Sequence, residues 1–90
     1  MNSGSEAGRT EREPAIIAAA QQGDLRAFDE LVSAYQELAY SVAYRILGNA
    51  DTAMDATQEA FIRAFQGLSR YRGGSFKGWI LRITTNCSYD

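Results

Sequence analysis

Between Leu25 and Leu47 an apolar residue returns every three or four positions: Phe28, Leu31, Val32, Tyr35, Leu38, Ala39, Val42 and Ile46. At about 100° per residue these form one stripe, so the segment reads as a long helix that must bury a side against partners. Tyr40, Tyr44 and Leu47 fall elsewhere on the helix, which suits packing on two sides within a bundle better than a ligand-binding tyrosine cluster. Asp24 is placed to cap the start of this helix and Gly48 to end it.

The flanking segments read as helices too. Pro14 suits the first turn of a helix that runs through Ala15–Ala20 and stops at Gly23, because a first-turn residue has no N–H bond to lose. Residues 1–13 are polar, with no apolar anchor, and are expected to form a disordered leader. Thr52-x-x-Asp55 has capping-box spacing for a third helix ending near Gln66, with Gly67 as its C-terminal cap. Ser75 can cap a fourth, from Phe76 to the end of the chain. With no strand alternation and no internal repeat, the expected fold is all-α: a compact bundle of about four helices over residues 14–90.

Charge is distributed unevenly along this bundle. Residues 1–60 carry four arginines against ten acidic side chains, a net of −6, while residues 61–90 carry Arg63, Arg70, Arg72, Lys77 and Arg82 against Asp90 alone, a net of +4. The overall charge of −2 therefore averages two halves of opposite sign and does not exclude a polyanionic partner. Other classes are excluded more firmly. The chain has no histidine, which removes His-based catalysis and His-ligated metals, and its single cysteine, Cys87, makes neither an internal disulfide nor a structural zinc site. Cys87 reads as a small buried hydrophobe rather than a redox sensor. No catalytic constellation can be assembled, so neither an enzyme nor a cofactor is expected. No apolar run approaches the roughly 20 residues that span a membrane, and a reducing, cytoplasmic setting is expected.

Two helices have a face to spare. On the third, Met54, Thr57, Phe61, Phe65 and Leu68 form the expected core contribution, and Asp55, Gln58, Glu59 and Ile62 form a neighbouring strip at i, i+3, i+4 and i+7. This strip suits a basic partner helix with Ile62 as anchor, or it is a solvated face with an incidental isoleucine, and spacing alone favours the second. On the fourth, Phe76, Trp79, Ile80, Ile83 and Cys87 read as core, Arg82, Thr85 and Tyr89 point away, and Asn86 sits at the border. Together with Arg70, Tyr71, Arg72 and Lys77, the outward set mixes cations, an amide and aromatics, as single-stranded nucleic acid requires; a plain basic rim fits the composition equally well. Gly73-Gly74 reads as loop flexibility, since no Gly-Lys-Ser/Thr follows it.

Three segments in order carry a resemblance: Asp24-Leu25-Arg26-Ala27-Phe28-Asp29-Glu30-Leu31 with Tyr35; Asp55-Ala56-Thr57-Gln58-Glu59-Ala60-Phe61; and Phe76-Lys77-Gly78-Trp79-Ile80-Leu81-Arg82-Ile83 with Asn86 through Asp90. Over about residues 14–90 the chain resembles region 2 of bacterial extracytoplasmic-function (ECF) sigma factors. No single segment is specific, but Asp-x-x-Gln-Glu-x-Phe followed by Trp-x-x-x-Ile-x-x-Asn is a fairly specific pair.

The resemblance implies a transcription initiation factor domain. Its third helix would dock on the clamp helices of the largest RNA polymerase subunit through Asp55, Gln58, Glu59 and Ile62, which reverses the reading from spacing. Its loop and fourth helix would recognise and melt the minus-ten promoter element, holding the non-template single strand with Arg70, Tyr71, Arg72, Ser75, Phe76, Lys77, Arg82 and Asn86. Trp79 is a further DNA candidate, although its place beside Ile80 and Ile83 favours the core. An anti-sigma factor is a further implied partner. The family continues into a linker and a second helical domain with a helix-turn-helix; these 90 residues contain neither, so their own DNA affinity is expected to be weak. The alternative is a helical protein-interaction module whose basic end binds an acidic protein.

Overall fold

The computed structural model describes the backbone of residues 2–90 and the side chains of residues 12–90. The described residues are all-α: α1 (Asn2–Gln21), α2 (Leu25–Leu47), α3 (Ala50–Gly67), a single 3-10 turn at Leu68–Arg70, and α4 (Phe76–Tyr89). They fall into two compact units, one ending at Leu31 and the other running from Val32 to Asp90.

In the first unit, Pro14 lies inside α1 and not in its first turn, because the helix already includes Arg12 and Glu13. From Asn2 onward the leader expected over residues 1–13 lies within α1, and its side chains up to Glu11 fall outside the described ones. Arg12 Nη2 reaches Glu30 Oε2 at 3.5 Å. Both side chains are exposed, so this pair contributes at most about 1 kcal/mol. Asp24 caps α2 as its sequence position suggests, its Oδ1 accepting from the N–H groups of Arg26 at 3.0 Å and Ala27 at 3.2 Å. Ile17, Ala20, Ala27 and Leu31 are buried.

In the second unit the interior is built on alanine. Ala39 and Ala43 of α2 and Ala53, Ala60 and Ala64 of α3 are completely buried. Side chains this small allow close approach of helix backbones, and one cluster joins Ala43, Ala53 and Ala56 with Tyr40, Leu47 and Cys87 packed against it. The buried face of α3 is Ala53, Ala56, Thr57, Ala60, Phe61 and Ala64, at helical spacing. Met54 and Phe65, expected in the core, are instead about half exposed. The reason is geometric: the alanine ridge takes the inward direction and leaves the larger neighbours outside it.

The start of α3 also departs from the sequence reading. Asn49, not Thr52, is its cap: Asn49 Oδ1 accepts from Thr52 N–H at 3.0 Å, while the Thr52 hydroxyl donates back to the Asn49 carbonyl at 3.3 Å. At the other end Gly67 has φ −96° and supplies no left-handed cap, because the chain tightens directly into the 3-10 turn. Along α4 the buried series is Phe76, Ile80, Thr84 and Ser88, with Trp79, Ile83 and Cys87 half-buried beside it. Thr84 and Ser88 are tolerated inside because their hydroxyls donate to the carbonyls four residues back, of Ile80 and Thr84, both at 2.8 Å.

Candidate nucleic-acid and polymerase interfaces

The loop between the 3-10 turn and α4 is short and closely determined. Gly73 and Gly74 have φ of 107° and 81°, a region that disfavours other residues, so the chain reverses sharply there. Ser75 then caps α4 through Oγ, which accepts from Gly78 N–H at 2.9 Å. The Tyr71 hydroxyl donates to the Gly74 carbonyl at 2.9 Å and fixes the loop from inside.

Four aromatic rings gather behind this loop. Phe76 lies 5.6 Å from Tyr35, 5.4 Å edge-on from Tyr71 and 5.5 Å from Trp79 between ring centroids, and Tyr71 lies 5.2 Å from Trp79. Phe76 is only 3% exposed. The geometry thus separates three residues that the sequence reading grouped: Phe76 is an enclosed support with no ring face to offer a base, whereas Tyr71 and Trp79 are half-buried. Tyr35 belongs to this cluster and was assigned in the sequence only to the stripe of α2.

Beside the cluster an open groove of about 390 Å³ runs between the end of α3 and α4, lined by Arg63, Gln66, Gly67, Arg70, Trp79, Ile83 and Asn86. It brings together Arg70, Trp79 and Asn86 from the predicted set. Arg63 and Gln66 were missed; their spacing with Arg70, at i, i+3 and i+7, is the signal that would have found them. Arg72, Ser75, Lys77 and Arg82 are exposed but do not line the groove. Among the described residues, Arg70, Arg72, Lys77 and Arg82 make no ion pair, so their charge faces solvent uncompensated.

Arg63 differs from these four. Its Nε lies 3.2 Å from Glu59 Oε2, and its Nη1 lies 2.9 Å from Asp90 Oδ2. Hydrogen bonds to Asp90 and then to Glu59 hold the guanidinium above its ordinary pKa. Burial pushes the Cys87 thiol upward, with the nearby Arg63 charge pulling more weakly the other way.

On the adjoining strip of α3, Asp55, Gln58, Glu59 and Ile62 are all exposed, Ile62 to 52%. Met54 and Phe65 add to this surface, so it is more apolar than the sequence reading allowed. Gln58 also borders a cavity of about 460 Å³ between α2 and α3, where Met54, Tyr40 and Phe61 contribute apolar walls. No group of acidic or cysteine side chains among the described residues could hold a metal ion, and no described helix is long and apolar enough to cross a membrane.

Comparison with known proteins gives these surfaces a context. Residues 31–90 match the Sigma-70 region 2 family, almost the same span as the second structural unit. The chain is 44% identical over 73 residues to the ECF RNA polymerase sigma factor SigE of Mycolicibacterium smegmatis, covering 81% of this chain and 28% of that protein. It is 39% identical over 75 residues to the ECF RNA polymerase sigma factor SigW of Bacillus subtilis, covering 82% and 40%. The chain thus spans less than half the length of these relatives. An engineered region 2 of sigmaE, solved by NMR in complex with GTAAAA, superposes with a TM-score of 0.80 at 32% identity, covering 86% of this chain and 81% of that one. The paired motifs, the helical fold and these similarities agree: the chain belongs to the sigma-70 region 2 family, as a region 2 of the extracytoplasmic-function kind.

Proposed function

We propose that residues 14–90 form a transcription initiation domain that docks on the clamp helices of core RNA polymerase and takes hold of the non-template single strand of the minus-ten promoter element. The observation that carries the DNA reading is the set of four exposed cations with no ion pair among the described residues, Arg70 at the groove and Arg72, Lys77 and Arg82 outside it, together with the aromatic cluster. A phosphate backbone would displace counterions from these cations. Asn86 is placed at the groove to hydrogen-bond a base edge, and Tyr71 or Trp79 to stack on an extruded base, offsetting the few kcal/mol of lost stacking that melting costs. Phe76 and the Ser75 cap act through the shape of the loop. That the similar engineered region 2 of sigmaE was solved in complex with GTAAAA supports a DNA-binding role for this domain.

Asp55, Gln58, Glu59 and Ile62 are assigned to the polymerase contact, with two carboxylates for cations of a coiled coil and Ile62 as the apolar anchor. An anti-sigma factor would act by covering one or both surfaces. The family is one of transcription factors and not enzymes, and we assign the domain to the cytoplasm, where polymerase is.

The test is a mobility shift with single-stranded oligonucleotides. The chain should retard a strand carrying GTAAAA more than a scrambled strand, with affinity falling as salt rises. Equal binding of both strands, or none at low salt, would leave the module that binds an acidic protein as the better reading.

A further inference from the structure

Arg63 occupies a position between the two proposed surfaces. It lines the groove beside Gln66, Arg70 and Asn86, yet its guanidinium is held by Glu59, which belongs to the polymerase strip, and by Asp90 at the end of α4. It is the one cation of the last 30 residues that is paired among the described residues. Both pairs are exposed, with the Arg63 side chain 44% accessible, and exposed ion pairs of this kind are weak enough to exchange one anion for another.

We propose that Arg63 is a further phosphate contact for single-stranded DNA, held in reserve by Glu59 and Asp90 and loosened toward the groove when a cation of the docking partner engages Glu59. The inference rests on the proposed DNA and polymerase surfaces and adds a link between them. The bond from Arg63 uses Oε2 of Glu59, and a partner cation bound to the same carboxylate draws its charge away from Arg63 and weakens that pair. A phosphate in the groove would then compete for Arg63 more effectively. Because linkage is reciprocal, DNA held by Arg63 would in turn free Glu59 for the partner.

A mutant cycle on the 90-residue chain tests this, using anisotropy of a labelled single strand carrying GTAAAA over a range of salt. Glu59→Gln with Asp90→Asn imitates release. It should tighten binding several-fold and steepen the slope of log K against log salt by about 0.7, the increment for one added phosphate contact on a single strand. Adding Arg63→Gln should abolish most of that gain, and Arg63→Lys should retain it. An equal gain with Arg63→Gln present would overturn the proposal, since neutralising the carboxylates would then act only through general charge. If strands carrying GTAAAA and scrambled strands bind alike while Arg63 still governs the gain, the promoter reading fails and the phosphate contact stands. If the wild type discriminates between them but the gain ignores Arg63, the reading stands and the phosphate contact fails. Circular dichroism of each variant should remain helical, because only exposed pairs are removed.

Discussion

The hydroxyl of Tyr71 donates to the carbonyl of Gly74 at 2.9 Å, so the aromatic at the centre of the basic loop is bonded to the residue at which the backbone reverses. The ring of Tyr71 is held at the same time against Phe76 and Trp79. The loop is therefore preorganised from both ends of one side chain, and its shape need not be formed anew when a ligand arrives. Tyr71→Phe keeps the ring contacts and loses the hydrogen bond, at a cost of about 0.5–1.5 kcal/mol. Gly74→Ala meets no atom within 4 Å but must adopt φ 81°, at a cost of about 1–2 kcal/mol. Chemical denaturation should show both variants folded and less stable than the parent. Both should bind single-stranded DNA more weakly than their stability loss alone would explain.

Gly67 should respond in the opposite direction. Its φ of −96° is open to any residue, and a Cβ there would meet only Trp79 Cζ2 at 3.8 Å, an ordinary contact. Alanine has less chain entropy to lose and favours the helix, so Gly67→Ala should stabilise the chain by about 0.4–1 kcal/mol, read as a higher denaturation midpoint. A loss of stability would mean that the turn after α3 needs the freedom of glycine after all.

The contrast between these glycines shows what could be read from the sequence. Helix number, the bounds of α2, the caps Asp24 and Ser75 and the exposed strip Asp55, Gln58, Glu59 and Ile62 follow from periodicity and local hydrogen-bonding chemistry, which act over a few residues. The inward face of α3 followed in part: Thr57 and Phe61, with Leu68 just after the helix, are buried as expected, but Met54 and Phe65 are not and the alanine ridge was missed, because alanines carry little hydrophobic signal although they allow close helix approach. Thr84 and Ser88 were missed for a related reason: their polarity is cancelled by hydrogen bonds to their own helix, a saving that hydropathy does not record. The groove is assembled from Arg63, Gln66 and Arg70 on one segment and Trp79, Ile83 and Asn86 on another. Its composition was legible and its membership was not, since membership depends on how α3 and α4 pack.

The strip proposed for polymerase gives a sharper test, because exposed residues can be changed without disturbing the core. Asp55 and Gln58 are exposed on α3, and Asp55 makes no ion pair among the described residues. Asp55→Arg reverses a charge and Gln58→Ala removes an amide; each should change stability by about 0.5 kcal/mol or less. Binding to core polymerase, measured by competition against the parent chain, should fall by tenfold or more for Asp55→Arg and less for Gln58→Ala. Helical circular dichroism should be unchanged for both. Loss of folding would show that the strip packs inside the domain rather than against a partner.

Cys87 gives a prediction that depends on pH. Burial raises its thiol pKa above the ordinary 9.0, and the opposing pull of Arg63 is smaller. The native protein therefore favours the neutral thiol more than the unfolded chain does. Below the unfolded pKa both states hold the proton and this contribution to stability is present in full; as pH rises through the folded pKa it is lost, because the unfolded chain releases its proton first. Denaturation midpoints should accordingly decline from about pH 9 upward, and Cys87→Ser should flatten that part of the decline. Alkylation by iodoacetamide at pH 7.5 should be several-fold slower in the native protein than in the denatured chain, since the thiolate is the reactive form. Arg63→Gln removes the pull that lowers the pKa and should slow native alkylation further. Faster alkylation in that variant would mean that Arg63 shields the thiol sterically instead of stabilising its anion.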